Sequence, residues 1–321
     1  MYMMESCSCG ILVNGIAIMM TKLSGALHNA FGVITMGYCL SNLVILVVIG
    51  TWTIIVLTLC TLIDFVSKSL VTVYFSGNIW PDSPLQYVAG QVSNGMYYAS
   101  ITVHLLLAIN RLCAICFPSK YARLFSFENA VTSLVFLMMV TFCISFTYYI
   151  DGCGYIFTTD KFVWRFEDTQ CGYIISVYAD FYFPLGVVVL MTIVDICTLF
   201  MLHSSAKRAN RAGIATVSQH SSRTRNREIL FFLQSCTCGS VYVLGVISFH
   251  VLSTFVTSTK WGEFGCVTFA WILVHSLDGE YFRLFVVLFT LYRRQHGKTL
   301  PVAPLINGAV TPLNGQPARV T

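Results

Sequence analysis

Charge is what this sequence has least of. Asp, Glu, Lys and Arg make up 10% of its 321 residues, and 56% of the residues are hydrophobic. Soluble domains contain about 25% charged residues, and the mean hydropathy here is +0.73. Because lipid offers the backbone no hydrogen-bond partner, long apolar runs must satisfy their own backbone groups as helices. We therefore predict an all-α integral membrane protein in contact with the lipid bilayer.

Familiar enzyme signatures are also missing. The sequence contains no Gly-x-Ser-x-Gly, no His-Glu-x-x-His, no phosphate-binding glycine loop and no Cys/His cluster with zinc spacing. The apolar run 264–291 has no lysine to carry a retinal Schiff base. We expect a protein that is not an enzyme and that uses no cofactor or metal. The net charge of +5 does not indicate nucleic acid, because the cations are sorted along the chain.

Polar breaks divide the chain into seven apolar runs long enough to cross a bilayer. The runs lie near residues 6–21, 31–57, 86–109, 129–150, 173–202, 229–256 and 264–291. This pattern predicts a seven-transmembrane helix bundle over residues 1–298. Residues 299–321 are rich in Pro, Gly and Asn and show no periodicity, so we expect a disordered tail.

Three places fit the pattern less well. The first run is short for a hydrocarbon core of about 30 Å, so either it begins at Met1 or further residues precede it. The mixed stretch Asp64–Ser83 is compatible with a long outer loop, a re-entrant segment or sequence that the mature protein lacks. The seventh run either crosses completely or ends near Gly279, in which case Glu280–Arg294 lies along the inner surface as an amphipathic segment.

Most of the 19 lysines and arginines follow the first, third, fifth and seventh runs. These cations are Lys22, Arg111, Lys120, Arg123, Lys207, Arg208, Arg211, Arg223, Arg225, Arg227, Arg293, Arg294, Lys298 and Arg319. The alternate loops hold Lys68, Lys161, Arg165 and Lys260. Because short cytoplasmic loops collect cations, we predict an extracellular amino terminus and a cytoplasmic carboxyl terminus.

The third run carries Tyr97, His104 and Arg111 at intervals of seven residues, so the three share one helix face. For His104, a packing face with satisfied polar groups is an alternative to a functional role. Arg111 ends the run at the predicted cytoplasmic surface, where a guanidinium can pair inside the bundle in one state and bind a partner in another. We predict that Arg111 is a switch.

Polar residues in the fifth and seventh runs are further candidates, because such residues are costly in lipid and usually face the bundle interior. Asp195 must be protonated, paired or hydrated; we favour a cation from another helix, with an interior hydrogen bond as the alternative. Pro184 should kink the same run. In the seventh run, Trp271, His275 and Asp278 form one inward stripe.

One motif carries a family resemblance. Residues Asn110–Tyr121 read Asn-Arg-Leu-Cys-Ala-Ile-Cys-Phe-Pro-Ser-Lys-Tyr. Together with Asn14 in the first run, Asp195 in the fifth and Asp278-Gly279 in the seventh, this motif resembles the nematode serpentine receptor class X family. That family comprises seven-helix chemoreceptors, which resemble rhodopsin-like G-protein-coupled receptors. The resemblance covers roughly residues 10–290.

The resemblance implies a chemosensory receptor in the plasma membrane that binds a small-molecule ligand and activates a heterotrimeric G protein. Asn110 and Arg111 stand where rhodopsin-like receptors carry an acidic-Arg-Tyr motif, so Asn110 replaces the acidic neighbour. The residues expected to face the G protein are Asn110, Arg111, Lys120 and Tyr121. The ligand pocket or interior polar network is expected to contain Tyr97, His104, Asp195, Trp271, His275 and Asp278.

Cysteines complete the resemblance. The family's loop between the fourth and fifth runs carries two cysteines, matched here by Cys153 and Cys171, which implies a disulfide between them. No cysteine lies between Cys60 and Cys113, so the usual bridge from the top of the third run is absent.

A transporter or channel is the alternative function. It would use Asp195, His275 and Asp278 as a coupling site within the membrane. Such proteins are built from internal repeats and broken helices, whereas this sequence shows no self-similar halves and one proline within its runs.

Overall fold

The structure is a computed structural model that describes residues 2–23, 29–67, 84–158, 160–211, 232–256 and 258–296. The predicted tail 299–321 lies outside the described residues. So do residues 68–83, which make up most of the stretch Asp64–Ser83.

Helices form almost all of the described chain. They are α1 (Tyr2–Leu23), α2 (Ala30–Ser67), α3 (Pro84–Cys116), α4 (Pro118–Leu124), α5 (Phe127–Ser145), α6 (Gln170–Ile174), α7 (Phe183–Arg211), α8 (232–247), α9 (Ser253–Phe255), α10 (Lys260–Phe264) and α11 (Ala270–His296). A 3-10 turn, Phe146–Tyr149, follows α5. Three π-helical turns, Ile175–Tyr182, Ser248–Leu252 and Gly265–Phe269, join α6 to α7, α8 to α9 and α10 to α11.

The π turns leave seven long helical columns in the described chain: α1, α2, α3, α5, α6–α7, α8–α9 and α10–α11. By length and composition, six helices within the described residues can cross a membrane. They are Met3–Leu23, Ala30–Val56, Leu85–Cys116, Phe127–Tyr149, Gln170–Ser204 and Phe232–Phe255. The seventh column carries Asp278, Glu280 and Arg283. Its helix α11 passes Gly279 without a break, so no helix end is found there.

Pro184 lies directly after the first π turn. Proline has no N–H, so the carbonyl one turn before it loses its helical partner. The chain responds with the wider π geometry, in which the N–H of Phe183 bonds to the carbonyl of Tyr178. The predicted distortion of the fifth run therefore takes the form of a π turn that ends two residues before the proline.

Helix α3 is central, because it packs against α2, α5, α7 and the first strand of the hairpin described below. One buried apolar cluster includes Tyr98, Trp164 and Ile272; a second includes Ile34 and Val103. On the outside of the bundle, large apolar side chains such as those of Phe200, 69% exposed, and Leu244, 65% exposed, form a surface suited to lipid.

A β-hairpin covers one end of the bundle. Its strands, β1 (Tyr155–Thr158) and β2 (Val163–Phe166), pair antiparallel with Tyr155 opposite Phe166. A disulfide between Cys153 and Cys171 ties the entry of the hairpin to α6. The ring of the fully buried Trp164 stacks on that of Tyr155.

The tip of the hairpin is clamped to the start of the last column, in α10 and the π turn that follows it. Lys161 Nζ lies 2.6 Å from Glu263 Oε2, and the Thr268 hydroxyl donates to the carbonyl of Phe162 at 2.9 Å. The ammonium of Lys260 lies 3.8 Å from the centroid of the Phe162 ring. The hairpin is thus fixed at both ends as a lid over the bundle.

We expect Gly90→Ala to destabilise the fold. A Cβ atom at Gly90 would overlap the backbone carbonyl oxygen of Tyr155 and approach the Trp164 ring, so the hairpin would have to move off α3. Overpacking of this kind costs about 1–3 kcal/mol. The measurement is the apparent melting temperature of the purified protein. Gly186→Ala is the matched control, since nothing lies within 4 Å of its added Cβ; equal melting temperatures for the two variants would contradict the proposed packing.

Candidate functional site

A buried ion pair joins α3 to α7. Arg111 Nη2 lies 2.9 Å from Asp195 Oδ1, and the two side chains are only 8% and 3% exposed. Ser235 of α8 lies beside the same carboxylate. The cation that pairs with Asp195 is therefore Arg111, and the pair reaches three helices. Removing one partner of such a pair leaves an uncompensated charge in an apolar setting, which is strongly unfavourable.

The other residues predicted to face a G protein lie around the end of α3. Asn110 donates from Nδ2 to the hydroxyl of Tyr121 at 3.2 Å and so holds α4 against α3. Burial raises the pKa of the Tyr121 phenol, which keeps it protonated at neutral pH. Lys120 is exposed on α4, apart from this contact. Arg111 and Asn110 thus bind different neighbours, α7 and α4.

A polar network crosses the middle of the bundle. The Ser100 hydroxyl of α3 donates to Asn42 Oδ1 of α2 at 2.7 Å and lies 2.7 Å from the Tyr242 hydroxyl of α8. The same Asn42 oxygen lies 2.9 Å from His275 Nδ1 of α11. Asn14 of α1 donates to the backbone carbonyl of His275 at 3.3 Å. Five helices therefore meet at one set of fully buried polar groups.

Asp278 belongs to the same region. It is fully buried, and its carboxylate faces the hydroxyls of Tyr38 and Tyr242 and the thiol of Cys238. His104 packs on the ring of Tyr38, with 5.1 Å between ring centroids. The structure therefore places His275 and Asp278 inside the network and His104 at its edge.

A partly open cavity lies between this network and the hairpin. Tyr97 of α3, Tyr242 of α8, Trp271 of α11 and Tyr155 of β1 contribute its aromatic walls. The ring centroids of Tyr97 and Trp271 are 5.7 Å apart in an edge-to-face arrangement, and those of Tyr155 and Trp271 are 6.0 Å apart. The predicted residues Tyr97 and Trp271 thus share one cavity, while Asp195 lies apart from it in the ion pair.

Each of the three π turns contributes to this cavity. The first supplies Asp180, the second supplies Phe249 and His250, and the third supplies Val267. Single π turns in helices occur frequently at functional sites because they redirect side chains. Their convergence marks this cavity as the candidate ligand site.

Asp180 anchors the polar side of the cavity. Its Oδ2 lies 3.4 Å from His250 Nε2, and its Oδ1 accepts from the Tyr98 hydroxyl at 3.3 Å. The sequence reasoning above did not single out Asp180 or His250. An ionisable residue within each apolar run was the available signal. Pro184 marks a distortion near Asp180, but nothing in the sequence marks the π turn that carries His250 or the contact between the two residues.

The cavity is small in this conformation. Its volume, counted as the space that the centre of a water molecule can occupy, is about 30 Å³. One water needs about 10–15 Å³ of such space, so the cavity holds about two waters. Sites for organic ligands are typically about 300–1,000 Å³. Binding of a larger molecule therefore requires the surrounding aromatic side chains or helices to move apart.

Comparison with known proteins extends these observations. The sequence model of the family described as serpentine type 7TM GPCR chemoreceptor Srx matches residues 6–285. Serpentine receptor class X 45 of Caenorhabditis elegans is 26% identical over 223 residues, which are 64% of this chain and 62% of that protein. Serpentine receptor class X-43 of the same organism is 26% identical over 209 residues, 63% of this chain and 62% of that protein. The chain thus spans about three fifths of the length of each relative.

The crystal structure of squid rhodopsin superimposes on the chain with a TM-score of 0.69 and 13% sequence identity. The match covers 92% of this chain and 83% of the rhodopsin chain. At this identity the similarity shows the fold alone, and the predicted seven-transmembrane, rhodopsin-like architecture is confirmed.

We expect Asp195→Asn to lower stability markedly, because it leaves the buried Arg111 guanidinium without its counter-charge. The expected loss is about 3–5 kcal/mol, measured by thermal unfolding in detergent. The double variant Arg111→Met/Asp195→Leu should recover most of the loss, since it buries no charge. Glu280→Gln is the matched control: it breaks the partly exposed pair of Glu280 with Arg283 on α11 and should leave the melting temperature unchanged. Equal losses of stability in Asp195→Asn and Glu280→Gln would contradict the assignment of the buried ion pair.

Proposed function

We propose that this chain, which belongs to the Srx family of serpentine seven-transmembrane GPCR chemoreceptors, binds a small-molecule ligand in the cavity below the hairpin and activates a heterotrimeric G protein through Arg111. Its family is a class of receptors rather than of enzymes. The observation that carries the proposal is the buried ion pair between Arg111 and Asp195. Arg111 belongs to the Asn110–Tyr121 motif that carries the family resemblance.

The ion pair supports a two-state switch. While Asp195 neutralises Arg111, the guanidinium is buried between α3 and α7. When the inner ends of the helices separate, Arg111 becomes free to bind a partner, and both charges regain water. A ligand drives this change only to the extent that it binds the open state more tightly than the closed one.

Helix α8 supports a route from cavity to switch. Tyr242 lines the cavity and bonds to Ser100 in the polar network. Cys238, four residues earlier, lies beside Asp278, and Ser235, a further three residues earlier, lies beside Asp195. Residues at these intervals share one helix face. A small rotation or shift of α8 on ligand binding would therefore disturb the network and the ion pair together.

The location and topology belong to the same proposal. The protein lies in the plasma membrane, with an extracellular amino terminus and a cytoplasmic tail over residues 299–321 that follows the receptor domain 1–298. Two features support this orientation. Cys153 and Cys171 are joined at the hairpin end, which suits the oxidising outside of the cell. Arg111 and Lys120 lie at the far end of α3, and cations collect on the cytoplasmic side.

We expect Asp195→Asn to raise basal G-protein activation several-fold, because it releases Arg111 without any ligand. The measurement is nucleotide exchange in membranes that contain the receptor and a panel of G proteins, at matched surface expression. Adding Arg111→Ala to this variant should remove the increase, whereas Glu280→Gln alone should have no effect. An unchanged basal rate in Asp195→Asn with every G protein would count against the switch.

We expect Val267→Phe to abolish the response to an agonist obtained by screening while basal activity persists. Val267 is buried and lines the cavity, so the larger ring fills space that a ligand needs. Leu277→Phe is the control, because Leu277 is 40% exposed on α11. The assay is agonist-dependent nucleotide exchange. A normal response of Val267→Phe would place the ligand elsewhere.

A further inference from the structure

A second, larger cavity opens at the hairpin end of the bundle. Its walls are Tyr87 near the start of α3, Tyr148 and Tyr149 in the 3-10 turn after α5, and Asp151 and Glu167 in the loop that carries the hairpin. The space open to the centre of a water-sized sphere is about 380 Å³, against about 30 Å³ in the cavity below the hairpin. This outer cavity is large enough for a small organic molecule without any movement of the bundle.

The outer cavity is acidic and aromatic. Glu167 accepts a hydrogen bond from the Tyr87 hydroxyl at 3.0 Å through Oε1, and the exposed Asp151 adds a second carboxylate. Tyr87, Tyr148 and Tyr149 line the same space; Tyr148 is 1% exposed, so the accessible rings are those of Tyr87 and Tyr149. Within the described part of the chain, no Lys, Arg or His lines it. Aromatic faces and carboxylates together attract organic cations, through the ring quadrupole and through charge.

A metal ion fits the outer cavity less well than an organic cation does. Hard divalent cations need several oxygen ligands converging on one point. Among the described residues, no group of three or more His, Cys, Asp or Glu side chains is placed to hold a metal. An ammonium group on a bulky organic body instead matches two separated carboxylates and two tyrosine rings.

The walls of the outer cavity are held rigidly. The disulfide from Cys153 to Cys171 closes the loop that carries Glu167, and Asp151 lies two residues before Cys153. Gly152 adopts a φ of 77°, which favours glycine, and its carbonyl accepts from the Thr169 hydroxyl. A Cβ atom on Gly154 would lie 2.7 Å from Glu167 Oε1, so a glycine there lets Glu167 sit close to the backbone. A preformed wall of this kind lowers the entropy lost on binding.

We propose that the outer cavity is a second binding site, which takes a small organic cation with a tertiary or quaternary ammonium group, held by Glu167, Asp151 and the rings of Tyr87 and Tyr149. The ammonium can belong to a free molecule or to the choline headgroup of a membrane lipid. This site is separate from the ligand cavity, and its binding does not depend on G-protein coupling.

The two cavities share one hydrogen-bonded chain. The Tyr148 hydroxyl accepts from Asn94 Nδ2 at 2.6 Å and lies 3.1 Å from the Tyr98 hydroxyl, which in turn donates to Asp180 in the ligand cavity. Tyr148 and Tyr98 therefore link the wall of the outer cavity to Asp180, the polar anchor of the ligand cavity.

Choline and its uncharged isostere 3,3-dimethylbutan-1-ol are the probes that test the site. The full-length protein in maltoside micelles, which contain no ammonium group, is titrated with each probe by saturation-transfer NMR. We expect saturable choline binding, and binding of the isostere at least about tenfold weaker because it lacks the charge. Absence of saturable choline binding, or equal binding of both probes, would overturn the proposal.

Variants separate the site from general surface charge. Glu167→Gln keeps the shape and an acceptor for Tyr87 but removes the charge, so choline binding should weaken about tenfold. Asp168→Asn is the matched control, because Asp168 is the exposed next residue and is not among the residues that line the cavity; its binding should stay within about twofold. Equal effects of the two variants would refute the site.

A choline titration of the protein in phosphatidylcholine nanodiscs distinguishes a lipid headgroup from a free molecule as the source of the ammonium. If lipid headgroups fill the outer cavity, free choline no longer titrates there although it binds in micelles. If the site takes free molecules, the titration persists in both settings. Either result supports an ammonium site and identifies where the cation comes from.

Discussion

The buried pair of Arg111 with Asp195 is the interaction on which the half of the bundle farther from the hairpin depends. Two opposite charges placed in an apolar interior gain little net stability together, since desolvation offsets most of their attraction. Either charge alone is strongly unfavourable there. The arrangement of α3, α7 and α8 is therefore tied to one contact of 2.9 Å, and separation of these helix ends must expose both groups to water or to a partner.

The upper half of the bundle is organised by departures from regular helix geometry. Three π turns direct Asp180, Phe249, His250 and Val267 into one cavity. An α-helix with the same residues would rotate some of these side chains away. Above the cavity, the hairpin is clamped by Lys161 to Glu263 at its tip and by the disulfide at its entry. The cavity is thus shaped by helix distortion and closed by a lid.

Helix α8 lies along the whole distance between the two halves. Its residues Tyr242, Cys238 and Ser235 lie respectively at the cavity, beside Asp278 and beside Asp195. Spatial continuity of this kind does not by itself transmit a signal; transmission requires an element with two arrangements that both sites bias. In the proposed mechanism, the ion pair is that element.

Particular residues show how much of the fold and of the candidate site the sequence determined. Scarce charge and seven apolar runs determined a membrane helix bundle, because lipid permits little else, and the Asn110–Tyr121 motif determined the family. Helical spacing placed His275 and Asp278 on one inward stripe of α11. Spacing along one helix says nothing of the partner on another helix. Tertiary packing decided that Arg111 meets Asp195 and that Asn42 meets His275. The cavity itself was decided in the same way, since Asp180 and His250 lie 70 residues apart in sequence. Pro184 marks a distortion near Asp180, but nothing in the sequence marks the π turn that carries His250 or the packing that brings the two side chains to 3.4 Å.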